Sequence, residues 1–202
     1  FATPTGELHP LQHMTPGELL KYNIMTAQQL SVYFTFCFVR NPWDRLVSDY
    51  HNFFSQVTND FQNYIEIVEE IVAVQNKGES YVQTWDTFPN PVRGIDNGGN
   101  GKINTHFVPQ HQFIYHEGKS MIEFIGRFEN FENEILELCH CIRNRGQDGD
   151  LGAAGKIIEG TTPIHKEHSS KHDHYNAYYN DYTRRVVEKS YAQDIAMFNY
   201  RF

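Results

Sequence analysis

Basic residues are scarce in this chain. Seventeen Lys and Arg stand against 25 Asp and Glu, a formal net charge of −8 with a pI near 5.7. A broad basic surface for nucleic acid is therefore excluded, though a local basic pocket is not. Cysteine is nearly absent, with three in 202 residues. Cys37 sits in an apolar run, and Cys139 and Cys141, two apart on a predicted helix, point different ways, so no disulfide framework is expected. No apolar stretch approaches the ~20 residues that a membrane-spanning helix needs. Residues Phe1 to Pro10 have neither the basic start nor the apolar centre of a secretory signal. No Asn-x-Ser/Thr sequon occurs either, and together these absences set the expectation of a reducing, cytoplasmic compartment.

What the chain does have is core material: 40% of it is hydrophobic and 14% aromatic. That suits one domain over residues 1–202 and rules out disorder of the whole. Thr15-Pro16-Gly17-Glu18 predicts a capped helix start, running to about Asn23. Tyr33 to Val39 is short, apolar and β-prone, the pattern of a strand buried on both faces. Asn41-Pro42 stops it, and Trp43 to Val57 then reads as an amphipathic helix, followed by another over Asp60 to Gln75. Periodicity vanishes over residues 76–105, a long loop, and a glycine-rich stretch near residues 145–161 reads as a second, flexible one. Ile122 to Ile125 is a second strand and Phe128 to Arg143 a helix. Asp173 to Asn180 and Thr183 to Phe198 close the chain as helices. Strands followed by helices favour an α/β class with a parallel sheet flanked by helices.

The segment with the clearest chemistry is Val39-Arg40-Asn41-Pro42-Trp43-Asp44-Arg45-Leu46-Val47-Ser48-Asp49-Tyr50. A buried strand ends in Arg40, turns, and enters a helix carrying Ser48. Ligands of open α/β sheets bind beyond the carboxyl ends of strands, so Arg40 stands where an anion would sit, with Ser48 able to share it. A blander reading makes Arg40 the partner of Asp44 and Ser48 a helix-packing residue; composition leaves both open.

This string closely resembles the 3′-phosphate-binding segment of sulfotransferases that use 3′-phosphoadenosine 5′-phosphosulfate (PAPS), of the bacterial and carbohydrate type. Three further stretches are similar to family segments in the same order. These are His13-Met14-Thr15-Pro16-Gly17-Glu18-Leu19, Gly126-Arg127-Phe128-Glu129-Asn130-Phe131, and the closing run from Tyr178-Tyr179 to Phe198-Asn199-Tyr200-Arg201-Phe202, where Asn199 replaces the usual Gly. The resemblance implies a P-loop-like fold, with Arg40 and Ser48 holding the 3′-phosphate and His13 acting as general base. His106 and Gln110, in a stretch resembling the family's H-[FW]-x-P-Q segment, would line the acceptor cleft, with His111 ordinary. Ser170 and Lys171 would lie in a loop over the nucleotide. The family's opening strand and 5′-phosphosulfate loop have no counterpart in these residues, and that segment is expected upstream of Phe1.

His165, His168, His172 and His174 crowd one stretch, but their spacing matches no helical ligand pair with a third ligand, and sulfuryl transfer needs no metal; no metal site is expected. The resemblance implies transfer of a sulfuryl group from PAPS to a hydroxyl of a carbohydrate or small-molecule acceptor, leaving 3′-phosphoadenosine 5′-phosphate (PAP). Two alternatives stay open at this point: a non-catalytic nucleotide- or ligand-binding module of the same fold, and a related P-loop phosphotransferase.

Overall fold

The computed structural model describes residues 14–55, 58, 60–76, 106–145, 152–160, 163 and 172–202. Thr15 opens helix α1 (Pro16–Lys21) as the sequence predicts: its hydroxyl accepts from the Glu18 N–H at 3.3 Å, and Glu18 accepts from the Thr15 N–H at 2.8 Å. A second box of the same kind, Thr26 with Gln29, starts helix α2 (Ala27–Val32). Because Tyr33 serves as the C-cap of α2, the expected strand shortens to β1 (Phe36–Val39). Its burial is graded, from Phe36 at 50% exposed to Val39 at 2%, so only the end of the strand meets the two-sided burial expected of it.

Strand β1 pairs in parallel with β4 (Phe124–Arg127), in the register Phe36 to Phe124 through Val39 to Arg127. Gly126 lies opposite Phe38, and a Cβ there would come within 2.6 Å of the Phe38 ring, so glycine allows the two strands' side chains to coexist. Between the partners run helix α3 (Pro42–Asp49), a π-helical turn (Tyr50–Phe54) and helix α4 (Phe61–Gln75). The single helix expected over Trp43 to Val57 thus widens at Tyr50, where the Ser55 N–H reaches the Tyr50 carbonyl at 2.7 Å. Phe54 enters the core there while the ring of Phe53 lies against His106, 5.1 Å between centroids.

A small antiparallel hairpin, β2 (Tyr115–His116) with β3 (Lys119–Ser120), precedes β4; Glu117 and Gly118 both take positive φ in its turn. Helix α5 (Phe131–Arg145) follows β4 through a short 3₁₀ turn. Within the glycine-rich stretch, residues Gly152–Ile158 form helix α6, which corrects the expectation of an unbroken loop there. The helix expected over Asp173 to Asn180 is only a 3₁₀ turn, Tyr175–Tyr178. The reason is local: Asn180 must be extended to cap α7 (Asp181–Ser190), where its side chain accepts from the Thr183 N–H at 2.9 Å. The chain then bends at Tyr191 into α8 (Ala192–Met197).

The core forms where α3, α4 and α7 meet. Trp43, Leu46, Phe54, Tyr64, Ile65, Val68, Ile71, Val187 and Tyr191 are all 2% exposed or less. Each fully buried side chain of this size contributes about 1.5–3 kcal/mol against exposure. The result is a mixed helix-and-strand domain in which a small parallel sheet delivers the end of β1 to the start of α3.

Candidate functional site at the end of the first strand

The turn from β1 into α3 is held from several distant parts of the chain. Asn41 caps α3 by accepting from the N–H groups of Trp43 at 3.0 Å and Asp44 at 3.4 Å. Its own N–H donates to Glu129, just past β4, and its side-chain amide donates to the Arg201 carbonyl at 3.1 Å. Glu129 accepts in turn from the Tyr200 hydroxyl at 3.3 Å, and Arg127 donates to the Phe198 carbonyl at 2.6 Å. Three of the four motif stretches therefore interlock around one turn. Asn199 sits between the last two contacts at φ 51°, the left-handed conformation that a glycine, or next best an asparagine, adopts at low cost.

Arg40 leaves β1 at this turn. Its Nε donates to Asp44 at 2.7 Å and its guanidinium carbon stands 4.7 Å from the centre of the Phe128 ring. The Asp44 pairing anticipated as the bland alternative is therefore present, and it orients the guanidinium between a carboxylate and an aromatic face. Ser48 lies in the last turn of α3, 8% exposed.

The stretch from His106 to His111 runs back along α3, residue against residue. His106 Nδ1 meets Asp49 Oδ1 at 2.9 Å. The Val108 carbonyl accepts from both terminal nitrogens of Arg45 at 3.2 Å. Gln110, 8% exposed, exchanges two bonds of 2.8 Å with the Arg40 backbone: it accepts from the N–H and donates to the carbonyl. The other side of the same stretch is fixed by the closing helices. Tyr191 donates its hydroxyl to the Phe107 carbonyl at 2.9 Å, and Asp194 accepts from the N–H of Gln110 at 2.7 Å and of His111 at 2.9 Å.

Asp194 is fully buried, which by itself would push its carboxyl pKa up. The bond from His111 Nδ1 at 2.6 Å, the charge of Arg45 and the two backbone N–H groups outweigh that burial and hold the carboxyl below its ordinary value. Burial pushes the Cys37 thiol up to about 11, so it stays protonated and offers no nucleophile. Among the described residues no group of three or more His, Cys, Asp or Glu side chains converges.

The structure thus brings Arg40 and Gln110 into direct contact and sets His106 beside Asp49, the neighbour of Ser48. His13, Ser170 and Lys171 lie outside the described residues, as do His165 and His168. His172 is described and stacks on His51, 5.3 Å between ring centres and 15° between planes. Sequence reasoning passed over His111, Asp49 and Asp194 as site-building residues. The contacts that draw them together, Asp49 with His106 and Asp194 with Gln110 and His111, join residues 57 to 84 positions apart, and no spacing rule spans such distances.

A family model described as "Sulfotransferase family" matches residues 3–201. Carbohydrate sulfotransferase 14 of Homo sapiens is 33% identical over 116 residues, covering 54% of this chain and 29% of that protein. Carbohydrate sulfotransferase 14 of Mus musculus gives the same identity and coverage, so the aligned stretch is under a third of either relative's length. No solved structure matches the chain.

Proposed function

Since the chain belongs to the sulfotransferase family, we propose that it transfers a sulfuryl group from PAPS to a hydroxyl of a carbohydrate acceptor. The observation that carries this reading is the interlocked turn at the end of β1, which presents the Arg40 guanidinium beyond the strand's carboxyl end. Anion sites in α/β sheets lie there. In this reading Arg40 and Ser48 bind the 3′-phosphate, the group that distinguishes PAPS from ATP, and Ser170 and Lys171 add contacts to the nucleotide. The wider sheet is P-loop-like. The acceptor oxygen forms a bond to sulfur as the bond from sulfur to the 5′-phosphate oxygen breaks. The bonding pair leaves with PAP, and His13 takes the hydroxyl proton. His106 and the stretch to Gln110 form the acceptor side. No step calls for a metal.

Calorimetry on the full-length protein tests the donor assignment. PAP is expected to bind at least tenfold more tightly than AMP, because each charge-assisted contact to the 3′-phosphate contributes about 1.5–3 kcal/mol. Arg40→Ala should remove most of the difference. Equal affinities for the two nucleotides would sink the assignment.

A further inference from the structure

Successive residues of a strand direct their backbone groups to alternate edges. The Thr35 carbonyl and the Asn41 N–H both bond on the β4 side, to the Phe124 N–H and to Glu129, so Arg40 directs its N–H and carbonyl to the opposite edge of β1. Gln110 meets them there, and whatever holds Gln110 sets where Arg40 lies. That support is Asp194. Its Oδ2 accepts from the Gln110 N–H at 2.7 Å, and its Oδ1 accepts from the His111 N–H at 2.9 Å and from His111 Nδ1 at 2.6 Å. The carbonyls just before are held in the same way, Phe107 by Tyr191 and Val108 by Arg45. Residues 107–111 thus pair with no strand, yet side chains of α3 and of the closing segment fix their backbone.

A carboxylate accepts at both oxygens only while it is ionised. Asp194, held below its ordinary value, meets that condition at neutral pH. His111 clamps it through the shortest of the three bonds. We propose that Asp194 and His111 are positioning residues of the anion site: the carboxylate on α8 sets Gln110, Gln110 sets Arg40, and the preference for a 3′-phosphorylated nucleotide is thereby fixed from the closing helix. This rests on the sulfotransferase reading above. Such a role differs in reach from general support of the fold. Loosening the whole domain weakens PAP and AMP alike, whereas displacing Arg40 weakens only the ligand that carries a 3′-phosphate.

The test compares PAP and AMP by calorimetry on the full-length protein and follows amide hydrogen exchange by NMR. His111→Ala should lower PAP affinity about threefold to tenfold, the size of one lost hydrogen bond, and leave AMP within about twofold. It should also speed exchange of the Arg40 N–H while the Asn41 N–H, bonded to Glu129, keeps its rate. His111→Asn, whose amide nitrogen can donate to Oδ1 as Nδ1 does, should restore both readings. Asp194→Asn should exceed His111→Ala in both, because it turns one amide nitrogen toward a donor; should it fail to fold, the two His111 variants decide. Equal losses for PAP and AMP, or faster exchange at Arg40 and Asn41 together, would reduce Asp194 and His111 to supports of the fold and overturn the inference. So would native PAP affinity in His111→Ala, or no recovery in His111→Asn. PAP binding no tighter than AMP in the unaltered protein would instead overturn the donor reading, and the Arg40 exchange rate would still show whether Asp194 and His111 position that residue.

Discussion

Gln110 serves Arg40 as a neighbouring strand would, taking its N–H and supplying a donor to its carbonyl, both at 2.8 Å. The side chain of one residue thereby continues the sheet's hydrogen bonding one residue past the end of β1. That fixes the backbone from which the Arg40 guanidinium is aimed.

Gln110→Ala should therefore do two things at once. It leaves a part-buried N–H and carbonyl without their partner, at a cost of about 1–3 kcal/mol in denaturant unfolding. It should also weaken PAP binding, because Arg40 loses its fixed origin. Gln110→Glu keeps an acceptor for the N–H but loses the donor, and should fall between Ala and the native residue on both measurements. An alanine variant with native stability and native PAP affinity would show that the exchange does not matter.

Acid should act in two steps. His51 is held below the ordinary histidine value of 6.5 by burial first and by His172 second, against an opposing pull from Asp173. Asp194 is held below 3.8 despite its burial. Both folded-state values are depressed, so the folded chain takes up these protons less readily than the unfolded one. Stability is then full above the ordinary value and falls as pH drops through the folded one. Denaturation midpoints should decline below pH 6.5, and again below 3.8. His51→Phe should flatten only the upper step. Asp194→Asn should remove the lower step and cost about 3–5 kcal/mol at neutral pH, since it breaks a buried charged cluster. Midpoints that stay level from neutral pH to below 6.5 would refute the His51 part.

Asn199 offers a cleaner backbone test. At φ 51° and exposed, Asn199→Gly should change stability by only a few tenths of a kcal/mol, while Asn199→Ala should cost about 1–2 kcal/mol. Equal effects of the two substitutions would mean that the left-handed turn is not what the position requires.

Much of this architecture is written locally and could be read locally. Thr15 and Glu18 lie three apart, and the box they form depends on nothing else. Likewise, an apolar run stopped by Asn41-Pro42 must turn, and Asn41 is both the stop and the cap. Non-local features escaped. The pairing of Asp49 with His106 joins residues 57 apart, and nothing in either neighbourhood marks the other. The widened turn at Tyr50 was hidden because its residues suit an α-helix equally well, and only packing against Phe107 and His106 distinguishes the two. Helix α6 was masked by its glycines, whose low helical propensity is overridden by packing on α5. The candidate site was half legible: Arg40 and Gln110 could be named from their motifs, but that one supports the other could not.

The bond from the Asn41 amide to the Arg201 carbonyl has a kinetic side. It ties positions 160 apart, and the Gln110 contacts to Arg40 and Asp194 close spans of 70 and 84. Such loops are slow to close, because chain entropy is spent before any contact rewards it. During synthesis, β1 and α3 emerge long before the segments that lock their junction. The turn carrying Arg40 must then wait, half built, until the closing helices have left the ribosome, and a ligand for that turn would meet a finished site only as one of the last events of folding.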